Sequence, residues 1–404
     1  MTNPPLSGIR VVAVEQAVAM PFCTFILTEL GAEVVKVERL PDGDTIRSWD
    51  DAVHGLSAGF VWVNSNKKSI CLNLAHSEAQ EIVRQLCRTA DVFVENFAPG
   101  VIDRFGLSYD ELKNVNEEIV YCSLSGYGQT GPYRAVKAFD LLVQGESGLL
   151  NANGSPAEPA KVGIPISDLI AGSNATIAIL AALRAPRDGT RGQYIDLGMF
   201  ESVLPWLGYY PHRIWHTQTE PPRTGLRHQY LSPYGPFLAK DDVLVNVAVA
   251  TQEHWHRFCK DVIETPDWIT DSRFATVADR QQNRSTLEAM IDVRIAGEPS
   301  EIWFDRLERS RLPYGRVRTI ADAIRHPQVG ARACRWRRSR RLGRFPCSGC
   351  RSVHCPTVSD GSPTSASTRW TCSAISGIRR GRSRHFNNRE RADERAPRGT
   401  VRRR

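Results

Sequence analysis

Three groups of residues in this 404-residue chain have types and spacing suited to chemistry. The first is SGYGQTGP at 125–132, where Gly126, Gly128 and Gly131 keep the G-x-G-x-x-G spacing of a dinucleotide-binding turn. Such a turn must follow a strand and open a helix whose N-terminus receives a pyrophosphate. EEIVYCSLS supplies the strand, but Pro132, Tyr133 and Arg134 continue as loop. Glu38 ends an earlier strand, where a ribose-binding acid would sit, yet the turn before that strand, EQAVAMP, has no glycine. Acid and glycines thus belong to different β-α units and do not make one nicotinamide site. The second group is Cys347, Cys350, His354 and Cys355. Its first pair has a zinc spacing, but adjacent His354 and Cys355 do not form a usual second pair, so no metal is expected.

The third group is a charge run. Residues 334–404 hold 19 Arg, no Lys and four acidic residues, a net charge of +15. The rest of the chain holds 33 basic and 40 acidic residues, net −7, so the basic balance comes entirely from this tail. Arg, Ser, Pro and Cys dominate the tail, without helical or strand period. It reads as a nucleic-acid-binding arm, as a zinc site, or as a segment translated out of frame from about residues 332–335. The last fits best: GC-rich codons for RFPCSGC, read one frame over, give a strand-like Val-Pro-Val-Leu-Gly-Leu-Pro. Cys23, Cys71, Cys87, Cys122 and Cys259 are scattered and read as reduced core residues, not a disulfide framework. The N-terminus lacks the basic and apolar regions of a signal peptide, and no apolar run of about 18 residues is read. A cytoplasmic location without membrane contact is the expectation.

The elements that must position any site alternate. GIRVVAVEQ is a Val-rich strand, MPFCTFILTELGA a helix ending at Gly31, and EVVKVER a second strand. SICLNL, DVFVENF and IVYCSLS are further strands, separated by the helices SEAQEIVRQLCRTA and SYDELKNVN. This alternation predicts an α/β fold with a parallel, Rossmann-like sheet. Residues 167–203 read as a small-residue helix, a turn and a strand; WLGYYPHRIWHTQTEPPRTGLRHQ reads as a linker. From about residue 230 two strands surround an Asp-Asp turn, and helices continue to about 325. The expected division is a large Rossmann-like domain at 1–225, a smaller α+β domain at 226–332 and the aberrant Arg-rich tail at 333–404.

The motifs LGAEVVKVER…GD, NSNKKSICLNL, DVFVENFAPGVIDRFGL, SGYGQTGPY, GQYIDLGMFES, PYGPF, DSRFATVADRQQNRSTL and AIRHPQVGAR occur in this order. As a set they resemble the class III CoA-transferases of the CaiB/BaiF type, from about residue 6 to 332. The resemblance implies an interlocked homodimer whose C-terminal segment returns to the large domain. It implies acyl-CoA and carboxylic acids as substrates, with no permanently bound cofactor.

The resemblance places the catalytic carboxylate on Asp168, in IPISDLIAG. A carboxylate can attack an acyl-CoA thioester and carry the group covalently. Read alone, Asp168 is a helix N-cap. Arg39, Arg104 and Lys137 match positions that offer cations to the CoA phosphates. Leu72, Asn73, Leu74 and Ala75, with Asn96, Phe97 and Ala98, match the lining of the adenosine, at strand ends where open α/β sheets bind ligands. Val18 and Ala19 at the start of the first helix, and Ala138 and Phe139 beside Lys137, complete the implied CoA set. Val18 stands where some members carry a Gln that contacts the acyl group, with Gln16 nearby. Trp49 matches an aromatic residue that shapes the acyl pocket in the oxalate-using branch, whose glycine-rich flap has no counterpart after residue 220. His228 and SPYGPF resemble the succinyl- and carnitine-type branches, which points away from oxalate as acceptor. A racemase branch of the same fold moves an α-proton with a His/Asp pair; Phe139 occupies its His position, so that route lacks a base.

Overall fold

The structure, a computed structural model, describes residues 4–186, 188 and 191–331. The tail expected at 333–404, with its zinc, frame and nucleic-acid readings, lies outside the described residues. Strands β1 (Arg10–Val14), β2 (Glu33–Arg39), β3 (Lys68–Leu72), β4 (Val92–Glu95), β5 (Val120–Ser125) and β6 (Gln193–Gly198) form one sheet. Their order is β3-β2-β1-β4-β5-β6, and every neighbouring pair is parallel. The order reverses between β1 and β4, which places a ligand crevice at the carboxyl ends of those strands.

Both faces of this sheet are covered, which explains its apolar strands. Val11, Ala13, Val92, Val94 and Cys122 point into one core, while Val12, Val14, Phe93 and Tyr121 point into the other. The helices of this region are α1 (Ala19–Glu29), α2 (Ala58–Asn64), α3 (Ser77–Cys87), α4 (Tyr109–Val115), α5 (Asp140–Glu146), α6 (Leu149–Ala152), α7 (Ile166–Leu183), α8 (Met199–Val203) and α9 (Tyr210–Thr217). Helices α1 and α7 cover the first core; Val83 and Cys87 of α3 and Leu112 of α4 cover the second. Helix α7 corrects the sequence reading of no long apolar run: its 18 residues have a mean hydropathy of 1.6, enough to cross a membrane by length and composition. Half of it is buried instead against α1 and the sheet. Its Gly172 makes that contact possible, since a Cβ there would collide with the carbonyl oxygen of Ala19.

The stretch read as a linker, 206–229, holds α9, whose Pro211 lies in the first turn, where no N–H is needed. Beyond it, β7 (Tyr234–Leu238), β8 (Leu244–Ala248) and β9 (Tyr314–Arg316) form an antiparallel sheet in that order. Helices α10 (Gln252–Arg257), α11 (Val277–Gln282), α12 (Arg284–Ile295), α13 (Ser300–Arg309), α14 (Ile320–Ile324) and α15 (Pro327–Ala331) complete this second unit. Its core gathers Phe237, Val245, Trp255, Phe258, Leu287, Ile291 and Trp303. Four of the five described cysteines are buried, and Cys71 is half-buried.

Candidate functional site

A cavity of about 260 Å³ opens at the carboxyl ends of β1 to β4. Arg39, Leu72, Asn73, Leu74, Ala75 and Phe97 line it, as the sequence reading expects of a CoA pocket. Glu15, Gln16, Gly43, Asp44 and Phe105 also line it and were not singled out from sequence as ligand-binding residues. Glu38 lines it too, but its carboxylate is consumed. Arg47 meets it with two hydrogen bonds of 2.7 Å, and the Asp44 N–H donates to it at 2.9 Å. Burial alone would raise the Glu38 pKa; these bonds and the Arg47 charge hold it at about 2. An acid so saturated is not free to bind a ribose diol. The glycines of 125–132 follow β5, not β1, and the next helix, α5, starts at Asp140. The dinucleotide reading therefore fails on both counts. Gly126 instead lets Ala138 pack against it, as a side chain there would collide with the Ala138 methyl group.

Buried charges hold the β1–α1 turn that lines the cavity. Ala17 is in the left-handed region, φ 60°, which a non-glycine residue adopts at a cost. Its N–H donates to Asp44 Oδ1 at 3.0 Å. Asp44 Oδ2 accepts Lys36 Nζ at 2.8 Å, and Glu15 Oε1 accepts Lys67 Nζ at 2.8 Å. Asn96 clasps the Gln16 backbone in both directions, at 2.9 Å each way. Asn96 thus positions the wall of the cavity and does not line it.

Asp168 stands in the first turn of α7. Gly172 lies against Ala19, and Thr176 bonds Cys23, so α1 and α7 run parallel and in step. Leu169, beside Asp168, packs with Val18, Ile46 and Phe60. Asp168 is not the cap of its helix. Pro165 is the N-cap and makes no side-chain bond, while the Ser167 N–H donates to Asp140 Oδ1 at 2.8 Å. Among the described residues no hydrogen bond reaches the Asp168 carboxylate. Burial, and then the Asp140 charge, push its pKa up to about 7.

The other implied residues are spread more widely. Val18 and Ala19 are buried where α1 begins. Ala98, Arg104 and Lys137 lie outside the cavity, and the last two are exposed. Phe139 is 71% exposed and caps no N–H with its side chain; no imidazole stands there for a racemase. Trp49 is 58% exposed after the 3-10 turn Thr45–Ser48. His228 lies before β7, stacked on Tyr234 at 4.8 Å, and its Nδ1 accepts the N–H groups of Tyr230 and Leu231. Burial and then Arg284 lower its pKa. Among the described residues no hydrogen bond or ring contact joins His228 to α7. Nor do three or more His, Cys, Asp or Glu residues gather there into a metal-binding cluster.

The sequence matches CoA-transferase family III over residues 6–369. That match continues past residue 332, where the motif resemblance ends. The chain is 36% identical to an acetyl-CoA:oxalate CoA-transferase of Acetobacter aceti, over 81% of this chain and 84% of that protein. It is 35% identical to a succinyl-CoA:glutarate CoA-transferase of Mus musculus, over 80% of this chain and 74% of that one. A CaiB/BaiF family protein from Brucella suis has a similar structure, with a TM-score of 0.74 and 31% identity, over 82% and 88% of the two chains. These likenesses agree with the parallel sheet, the cavity at its carboxyl edge and the ordered motifs. The chain belongs to CoA-transferase family III and is a CoA-transferase.

Proposed function

We propose that the chain moves CoA from an acyl-CoA donor to a carboxylic acid through covalent intermediates on Asp168. The observation that carries this reading is a half-buried carboxylate, without a hydrogen bond among the described residues, in the first turn of a helix whose Leu169 packs with Val18, two residues on from the cavity-lining Gln16. The Asp168 carboxylate attacks the thioester carbonyl, giving a mixed anhydride and releasing CoA thiolate. The thiolate attacks the aspartyl carbonyl, which frees the first acid and leaves an aspartyl-CoA thioester. An acceptor carboxylate attacks that thioester, forming a second mixed anhydride and thiolate. The thiolate then attacks the acceptor carbonyl, giving the new acyl-CoA and the original carboxylate. No net proton is consumed, and every leaving group is a thiolate or a carboxylate.

In this reading Arg39 meets the CoA phosphates, Leu72, Asn73, Leu74, Ala75 and Phe97 hold the adenosine, and Arg104 and Lys137 add charge from the rim. The acceptor stays open between the two chemistries of the relatives, oxalate and longer dicarboxylates; His228 and SPYGPF favour the latter. The test is peptide mass mapping after incubation with succinyl-CoA and other acyl-CoAs. A CoA adduct is expected on the peptide that contains Asp168; an adduct elsewhere, or none from active protein, would refute the route. The nucleophile must be ionised, so kcat/KM should fall about tenfold per unit below pH 7. A profile flat from pH 8 to pH 5 would remove Asp168 from the rate-determining attack.

The same reading takes a second copy of the chain as partner. Tyr133, Val136, Phe139, Leu141, Leu142 and Ile164 are all at least 48% exposed, on α5 and the segments that lead into α5 and α7. So much apolar surface beside one site marks an interface. Light scattering after size exclusion should give twice the chain mass; a monomer at micromolar concentration would refute the dimer.

A further inference from the structure

We propose that Asp140 and Gln144 of α5 are positioning residues that keep the Asp168 carboxylate uncapped and aimed away from its own helix. The proposal rests on the transferase reading of Asp168 for its kinetic consequences, though not for its structural ones. A carboxylate in the first turn of a helix ordinarily turns back to an exposed N–H, which lowers its energy and blunts it as a nucleophile. Here another carboxylate has taken that place. Asp140 Oδ1 accepts the Ser167 N–H at 2.8 Å, and the Asp140 carbonyl accepts the Ser167 hydroxyl at 3.3 Å. Asp140 is itself fixed, because Gln144 Nε2 donates to its Oδ2 at 2.8 Å. Gln144, fully buried, also accepts the Val162 N–H at 3.0 Å, tying α5 to the segment that enters α7. The clamp therefore holds α7 at two points, Val162 on its approach and Ser167 in its first turn. Among the described residues Asp168 is left without a donor.

The clamp also acts through charge. Helix α7 packs against α1, α5, α8, β5 and β6. The first turn of α1 carries no acid, and Glu15 before it is paired with Lys67 and Lys36. Asp196 of β6 accepts the Gln129 N–H, and Glu201 of α8 accepts the Gly198 N–H. Glu146, at the far end of α5, is exposed. Asp140 is the charge that acts on Asp168, raising its pKa beyond the effect of burial. A carboxylate with a raised pKa is the stronger nucleophile once ionised.

The test uses Asp140→Asn, which keeps an acceptor for the Ser167 N–H and removes the charge, and Gln144→Leu, which leaves the charge and removes its anchor. Asp140→Asn should move the acid limb of kcat/KM down by about one pH unit and lower kcat about tenfold at pH 8, with KM for the acyl-CoA nearly unchanged. Gln144→Leu should lower kcat about tenfold without raising KM. A second readout needs no turnover. The gain in Tm on Asp168→Asn at pH 8, relative to pH 5, should shrink by about half or more when Asp140→Asn is present. An unmoved acid limb together with an unchanged Tm gain would overturn the clamp. A shrunken Tm gain in protein that forms no CoA adduct would uphold the clamp and sink the transferase role of Asp168. If Asp140→Asn fails to fold, the same cycle run with Gln144→Leu decides the question.

Discussion

Asp168→Ala will eliminate the CoA adduct and lower kcat by about 10⁴-fold or more, with KM for the acyl-CoA changed by no more than about threefold. The split follows from geometry. The residues read as holding CoA lie at the ends of β2, β3 and β4, whereas the proposed nucleophile lies on α7. Losing the Asp168 carboxylate leaves those contacts intact, and the neighbouring carboxylate, Asp140, is engaged by the Ser167 N–H and by Gln144. Retention of even a tenth of wild-type activity would exclude the covalent route. The neutral substitution Asp168→Asn should also stabilise the fold, in a pH-dependent way. The folded pKa, about 7, lies above the unfolded value near 3.8, so ionisation works against folding. The penalty is absent below about pH 4, grows as pH rises through that interval and is complete above about pH 7. Allowing for partial exposure, Asp168→Asn should gain about 2 kcal/mol at pH 8 and almost nothing at pH 4. Equal stability of the two proteins at pH 8 would contradict a raised pKa. An activity lost and a stability gained at one residue is the expected signature of a functional site.

Lys67→Met will destabilise the protein by about 3–5 kcal/mol. The ammonium of Lys67 is buried and uses all its hydrogens: on Glu15 Oε1 at 2.8 Å, the Pro21 carbonyl at 2.9 Å and Asn64 Oδ1 at 3.1 Å. Removing it leaves the buried Glu15 carboxylate with Lys36 at 3.6 Å and the Thr24 hydroxyl, and strips the Pro21 and Asn64 oxygens of this donor. Burial pulls the Lys67 pKa down to about 8, against the pull of Glu15, so even the intact ion carries a desolvation cost. Breaking the pair exposes the corresponding cost on Glu15. The loss is a large share of the roughly 5–15 kcal/mol that a domain has in hand. Urea denaturation of the full chain measures it. The double change Glu15→Gln with Lys67→Met should recover part of the loss, because no lone charge then remains. A single-variant loss below about 1 kcal/mol would show that the cluster does not anchor the β1–α1 turn.

Much of this architecture can be read from single segments. The Val-rich runs at 10–14, 33–39 and 92–95 announce buried parallel strands, because burial on both faces favours apolar side chains on both sides of the strand. Asp168, Arg39 and the Leu72–Ala75 stretch stand out through the ordered motifs. The three residues of β9 and the helix α9 do not, the first too short to show alternation and the second masked by proline and aromatics.

The alternation of elements, the family and the position of the candidate nucleophile are legible in the chain alone: the first is written in local periodicity, the second in the ordered motifs, and the third follows from the resemblance they carry. The tertiary structure decided what those residues are free to do. Local preference makes Asp168 a helix cap; Asp140, 27 positions from Ser167, takes the Ser167 N–H and leaves Asp168 open. Asn96, 80 positions from Gln16, and Asp44, 27 positions from Ala17, hold a turn that has no glycine to ease its backbone. Hydrogen bonds and charge pairs across such separations form only when packing brings the groups together, so no window of sequence contains them.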